Sequence, residues 1–275
     1  MFTHYLITRF NIKVAHYGPE RMNSPEMDLE WLSIRLELFL KYCAPSVLEQ
    51  SNKQFLWLIY LDPETPKTIQ EKLDFLKAEM KMEFRYVADY PMMMNDILQM
   101  IKSVSTPYVI TSRLDNDDII SKYFIQDVQA AFKPQHQLII NFTKGFEYSF
   151  LINVLIKWNV RYKNQFISLI EDRNAPDVQS IYGFPHWRPP VKSTIVNITG
   201  KPYWIHVKHE LNHSGSVISG IPCFLKPAAL KVFPETVRKI QVSMIQTFKY
   251  SLQWFPQMVK RRLKFKKCRH RRSSV

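Results

Sequence analysis

The sequence predicts an α/β protein built from βαβ units, and three observations carry that prediction. Apolar runs of strand length alternate with amphipathic helical segments over the first ~140 residues, the pattern expected of a sheet with crossover helices. The runs FLWLIYL (55–61) and PYVITSRL (107–114) are apolar on both faces, as suits strands covered on both sides. Several of these runs end in a polar cluster, and in open α/β sheets ligands bind outside the carboxyl ends of the strands.

Taken in order, YLITRF (5–10) is a first strand that ends in Thr8, Arg9 and Asn11. Residues 28–43 place Leu29, Leu32, Leu36, Phe39, Leu40 and Cys43 at helical spacing, with Arg35, Glu37 and Lys41 mostly opposite; Asp28 is the expected N-cap and Pro45 the expected stop. The strand at 55–61 runs into Asp62-Pro63. Thr65-Pro66 opens a helix to about Lys81, proline being well placed in a first turn. A strand at 82–87, a helix at 92–103, the strand at 107–114, a helix at 121–132 and a strand at 136–142 follow. Beyond 142 the alternation stops: 145–170 has no clean period, and 171–220 is loop-like with a short strand at 203–207. Helical character returns from Pro227.

Composition narrows the function classes. The 275 residues are 46% hydrophobic and 23% charged, which is ordinary for a globular chain and excludes a disordered one. Six glycines argue against a glycine-cradle protein, and neither GxxxxGK[ST] nor GxGxxG occurs, so a P-loop and a dinucleotide fingerprint are excluded. Cys43, Cys223 and Cys268 form neither a disulfide framework nor a metal knuckle, which points to a reducing compartment. The net charge of +14 belongs mostly to KRRLKFKKCRHRR (260–272), which holds nine basic residues and no acid; residues 1–259 carry 29 basic against 24 acidic, or +5. Nucleic-acid binding inferred from overall charge therefore loses most of its force. No apolar run reaches the ~18 residues of a membrane span, and MFTHYLITRFN reads as a first strand and not a signal peptide. The expectation is a soluble, cytoplasmic protein.

The chemistry concentrates at Asp115-Asn116-Asp117-Asp118, directly after the strand at 107–114. Three carboxylates within four positions repel one another unless a cation or solvent relieves them, and Mg²⁺ or Mn²⁺ is commonly held by one or two carboxylates plus substrate phosphates. The plainer role for Asp117 or Asp118 is to cap the helix expected from Ser121, but a cap needs one Asp and not three. An EF-hand loop fails for want of Gly at its sixth position and Glu at its twelfth.

ITRFN, FLWLIYLDPETP, TSRLDNDD and Trp204-x-x-Val207-x-His209-x-x-Asn212 occur in that order, and from about Tyr5 to Asn212 the chain resembles a family of bacterial rhamnosyltransferases. The resemblance implies an A-type glycosyltransferase-like (Rossmann-like) mixed sheet flanked by helices, with a C-terminal helical extension. It implies a nucleotide-sugar donor whose diphosphate is bridged by Mn²⁺ or Mg²⁺, and a glycan or lipid-linked acceptor. Asp117 would ligate the metal, Asp115 would face the ribose or a metal-bound water, and Asp118 would touch the metal or stand behind it. Thr8, Arg9, Asp62 and Arg113 would face the donor, and His209 would complete the metal's coordination. A metal clamp of this kind acts as a Lewis acid on the departing diphosphate.

Residues 1–226 would form the transferase domain, divided into a donor half (1–142) and an acceptor half (143–226), ahead of a helical extension (227–259) and a basic tail (260–275). Sugar transfer with inversion needs a base for the acceptor hydroxyl, and Glu171, then Asp172, in FISLIEDRN are the candidates, against the plainer role of opening a solvated loop. Aromatic residues of SIYGFPHW (180–187) would stack on a sugar or anchor the loop. His206 and His213 keep packing or surface roles. The tail reads as a binder of anionic lipid at the inner membrane face. The competing functions are a nucleic-acid-binding module that uses the tail and a metal-dependent phosphohydrolase that uses the Asp cluster.

Overall fold

The computed structural model describes residues 1–13, 28–160, 164–209, 220–252 and 255. Asn212, His213 and the basic tail lie outside the described residues.

Strands β1 (Phe2–Arg9), β2 (Leu56–Leu61), β3 (Met82–Tyr86) and β4 (Tyr108–Arg113) form the parallel part of a seven-stranded sheet. β5 (Ile119–Ile120) leaves it, β6 (Leu138–Phe142) returns, and β7 (Lys144–Ser149), β8 (Val154–Asn159), β9 (Ile167–Asp172), β10 (Thr194–Ile198), β11 (Trp204–Lys208) and β12 (Ile221–Cys223) follow. The large sheet has the order β10-β6-β9-β4-β1-β2-β3, and a second sheet has the order β12-β8-β7-β11-β5. β9 runs antiparallel to both β4 and β6, so the large sheet is mixed and not purely parallel. Strands from either side of residue 142 share it.

Helices α1 (Leu29–Leu38), α2 (Ala44–Leu48), α3 (Lys67–Asp74), α4 (Leu76–Glu79), α5 (Tyr90–Ser103), α6 (Phe124–Ala130) and α7 (Glu235–Arg238) flank the sheets. Asp28 caps α1 as expected, its Oδ1 accepting the Glu30 amide at 2.9 Å. Pro45 does not stop the helix. A π-turn at Phe39–Cys43 widens the ladder, so that the Ala44 amide reaches the Phe39 carbonyl five residues back, and Pro45 enters α2 in its first turn, where a missing N–H is harmless. The helix expected from Ser121 begins at Phe124 and no side chain caps it, so neither Asp117 nor Asp118 serves as its cap. The helix expected to reach Lys81 breaks at Phe75 between α3 and α4.

The stretch 145–170, where the sequence shows no clean period, falls mainly in β7, β8 and β9 among its described residues. β7 and β9 are buried along nearly their whole length, so apolar and polar positions do not alternate. Gly145 in β7 lies under the Trp204 indole, where a Cβ would come within 2.1 Å of a ring carbon. Trp204 also stacks on Phe166, with centroids 4.9 Å apart and planes 7° apart, and its Nε1 donates to the Phe142 carbonyl at 2.9 Å. This clamp fixes β11 against the large sheet and so places the residue that follows it, His209. No helix among the described residues is long and apolar enough to cross a membrane.

Candidate functional site

Parallel pairing puts Ile7 opposite Arg113, which brings the residues after β1 and β4 to one level at the carboxyl edge of the sheet. There Arg113 grips Asp115, with Nη2 3.0 Å from Oδ2, and Arg9 Nη2 lies 3.7 Å from Asp115 Oδ1. Both guanidinium groups lie over the Tyr182 ring, 5.4 Å (Arg9) and 5.2 Å (Arg113) from its centroid, and Arg9 also faces Tyr90. Tyr182 is fixed by its hydroxyl, which donates to the Ile7 carbonyl at 3.2 Å, and by Tyr90, whose hydroxyl donates to the Tyr182 carbonyl at 2.6 Å. His186 Nδ1 stands 3.4 Å from Arg113. Burial alone would raise the Asp115 carboxyl, but Arg113 and Arg9 outweigh it and hold its pKa at about 2. The same burial, reinforced by Arg113, lowers His186 to about 4 and keeps its ring neutral at pH 7.

Asp117 forms a second centre. Its Oδ2 lies 2.7 Å from Arg35 Nη1 and 2.8 Å from His209 Nε2, and Arg35 Nη1 is also 3.1 Å from that nitrogen. Against the pull of burial, Arg35 and His209 hold the Asp117 carboxyl well below the usual range. Arg35 also donates to Asn116 Oδ1 and packs on Trp31, while Asn116 Nδ2 donates to the Phe10 carbonyl at 2.7 Å. The third carboxylate, Asp118, turns inward. It accepts the Val207 amide at 3.0 Å and a bond from Gln165, and burial, reinforced by Asp117 and Asp115 although His206 opposes it, raises its pKa to about 8. Asp118 therefore ties the loop to β11.

A carboxylate oxygen beside an imidazole nitrogen is a donor pair suited to a divalent ion of the Mn²⁺ type. Among the described residues no group of three or more His, Cys, Asp or Glu side chains could hold an ion. Asp117 and His209 therefore fit an ion that takes its remaining ligands from phosphate oxygens and water, as Mg²⁺ commonly does. Arg35 stands against both ligand atoms, so a divalent ion and this guanidinium would compete for them.

Other expected site residues fall elsewhere. Thr8 is fully buried, and its hydroxyl accepts from Trp57 Nε1 at 3.0 Å, so it packs the core and does not join the cluster. Asp62 is buried one strand over, where Oδ1 accepts the Glu64 amide at 2.8 Å. Its Oδ2, with Lys13 Nζ 3.5 Å away, has no hydrogen-bond partner in the described structure. Glu171 and Asp172 are not brought to the cluster at all. Because β9 is antiparallel, Glu171 pairs with Val109 near the start of β4, six residues and roughly 20 Å of strand from Asp115. There Glu171 accepts the Gln137 amide at 3.0 Å and meets His136 Nδ1 at 2.5 Å. His206 lies 3.6 Å from Glu147, in keeping with a packing role. Sequence reasoning missed Arg35, Tyr90 and Asn116. The one available signal was Trp31 one turn before Arg35, a pairing that lets an arginine stay flat against the helix.

A family model described as putative rhamnosyl transferase matches residues 4–221. Solved structures similar to the chain include Staphylococcus aureus TarS 1–349 in complex with UDP-GlcNAc (TM-score 0.46, 12% identity, 79% of this chain and 62% of that one). TarS 1–349 alone gives a TM-score of 0.43 at 12% identity over 74% of this chain and 60% of that one. HddC from Yersinia pseudotuberculosis gives 0.37 at 10% identity over 74% and 93%. The chain thus spans about three fifths of the length of the TarS 1–349 chains. No curated protein sequence matches it.

Proposed function

The chain belongs to the family described as putative rhamnosyl transferase, and from that premise we propose that it is a glycosyltransferase moving a sugar, rhamnose in the family's description, from a nucleotide donor to a glycan or lipid-linked acceptor. The observation that supports this most is the pair of arginines, Arg9 and Arg113, set at the carboxyl edge of the sheet beside an ionised Asp115 and over the Tyr182 ring. Two partly buried guanidinium groups on adjacent strands suit a diphosphate, whose charge grows as the sugar leaves. Asp115, already ionised, can accept from a ribose hydroxyl. Asp62, one strand away, is buried and ion-paired with Lys13 and adds no exposed acceptor.

Asp117 and His209 would hold the divalent ion, Mn²⁺ or Mg²⁺, and when bound it would neutralise charge on the departing diphosphate. The chain's own part is to keep Asp117 ionised and aimed, through Arg35, and to fix the loop beneath it through the Asp118 bond to Val207. Glu171 and Asp172 have no place in this reading, because their strand carries them to the other edge.

The test is a panel of nucleotide sugars, rhamnosyl donors included, incubated with the protein, Mn²⁺ and candidate acceptors while nucleoside diphosphate release is followed. Acceptor-stimulated release that Asp117→Asn abolishes supports the reading. Release of inorganic phosphate without any acceptor would mark a phosphohydrolase. Nucleic-acid binding lost on removal of 260–275 but untouched by Asp117→Asn would mark the tail-based alternative.

A further inference from the structure

The last described helix is built inside out. Residues 244–252 are helical, and the side chain they bury is Thr247, with no exposed surface, while Met244, Ile245, Phe248, Leu252 and the nearby Phe255 are each 58–70% exposed. At ~100° per residue Met244, Ile245, Phe248 and Leu252 fall within a single arc of about 100°. Lys249 lies exposed just beyond one margin of that arc. Scattered exposed apolar residues need no explanation, but a contiguous arc that large marks an interaction surface.

Charge identifies the partner. Eight residues after Leu252 begins the run with nine basic residues and no acid between 260 and 272. An apolar helical face joined to a cationic segment complements a surface that is oily beneath and negatively charged above, which is the headgroup region of an anionic bilayer. A second copy of the chain would have to bring the same positive charge to the same place. We propose that the exposed apolar face of Met244, Ile245, Phe248 and Leu252 lies in the surface of an anionic membrane, inserted among acyl chains, the charge of the sequence that follows selecting anionic lipid.

The placement of this helix gives the proposal a direction. Its first turn is tied to the turn between β7 and β8, where the Ser243 amide donates to the Asn153 carbonyl at 2.8 Å and the Tyr148 hydroxyl donates to the Gln241 carbonyl at 3.0 Å. Exposed Leu151 sits in that same turn. Phe150 in turn donates its amide to the Lys208 carbonyl at 3.2 Å, directly before His209. β7 and β11 are parallel, with Ser149 opposite Lys208, so the helix starts at the edge of the second sheet from which His209 emerges. Docking there sets the candidate site toward the membrane, where a lipid-linked acceptor would present its sugar. The docking itself stands apart from the assignment of sugar transfer.

The experiment is co-sedimentation of the full chain with phosphatidylglycerol-containing vesicles and with pure phosphatidylcholine vesicles, for wild type and for the Ile245→Glu/Phe248→Glu double variant. The wild type should bind the anionic vesicles and not the neutral ones, and should release at high salt. The double variant should lose at least about tenfold in binding, since it withdraws two inserted apolar side chains, with an unchanged melting temperature and unchanged nucleoside diphosphate binding. Equal vesicle binding by the double variant would overturn the proposal, because the basic run alone would then suffice. So would absence of wild-type binding, or a dimer in light scattering that the double variant dissolves while vesicle binding is absent. None of these outcomes touches the nucleoside diphosphate measurement, so failure of docking and failure of sugar transfer are read separately.

Discussion

Buried carboxylates sit at opposite edges of the large sheet, and the environments of Asp115 and Asp117 at one edge and of Glu171 at the other push them in opposite directions, Asp118 alone at the first edge being raised like Glu171. At the carboxyl edge of β4, Arg113 and Arg9 hold Asp115 at about 2 and Arg35 keeps Asp117 lower than usual. At the other edge Glu171 has amides and a histidine for neighbours but no arginine, and burial raises it to about 7. Both clusters are acidic and both follow apolar strands in the sequence. Strand direction separates them: β4 delivers its acids to the edge where β1 also ends, whereas β9, running the other way, delivers Glu171 to the edge where β4 begins. A carboxylate kept charged among arginines suits an anionic donor with a cation. One kept near neutrality between β9 and β6 secures a strand end.

The largest expected effect that would break this contrast is at Asp117. Asp117→Asn removes the charge that Arg35 and His209 share, and turnover should fall about 10²–10³-fold, as when a group that stabilises developing charge is lost. Steady-state rates with saturating donor check this, and a variant as active as wild type would deny the carboxyl edge its role. Arg35→Met should act on stability. It leaves a buried carboxylate short of its main counter-charge, a change that costs about 2 kcal/mol with His209 still in place, seen as a melting temperature lower by about 4–8 °C.

The legibility of these regions follows the same divide. The polar ends of β1, β2 and β4 could be read because each follows a continuous apolar run, and a parallel strand sends its end to a known edge. Arg35 could not, because a lone charge at the margin of the Leu32–Leu36 face is expected to meet solvent; its contacts with Asn116 and Asp117 instead hold the side chain 12% exposed. Pro45 misled because a π-turn, which no residue pattern announces, moves the proline into a new first turn. Glu171 misled for a topological reason. Its strand is recognisable as an apolar run, but its direction depends on pairing with β4 and β6, which are far away in sequence.

Smaller effects sharpen the comparison. On the proposed reading, His209→Ala would take away one ligand while Asp117 and phosphate oxygens remain, so activity should drop about tenfold and recover in part with excess Mn²⁺. A Mn²⁺ titration at fixed donor checks this, and wild-type behaviour at every concentration would remove His209 from the site. At the other edge, Glu171→Gln should leave turnover within about twofold of wild type, because Glu171 lies at the far end of the sheet from Asp115. Its effect belongs to pH. An acid raised from 4.5 to about 7 on folding favours the folded state fully below pH 4.5, and that contribution is lost as pH rises through 7. Between pH 5 and 8 the wild-type melting temperature should therefore fall relative to Glu171→Gln by about 4–8 °C, on the order of 2 kcal/mol. Parallel curves for the two proteins would show that Glu171 does not carry the raised pKa.

The central claim is that the donor site lies among Arg9, Arg113 and Asp115 at the carboxyl edge of the large sheet. Calorimetric titration of wild type, Arg113→Gln and Glu171→Gln with a panel of nucleoside diphosphates tests it most directly. For whichever nucleotide the wild type binds, Arg113→Gln should weaken binding at least about tenfold through loss of a charge-assisted contact, and Glu171→Gln should bind as wild type does. Unchanged affinity in Arg113→Gln, or a loss confined to Glu171→Gln, would contradict the account.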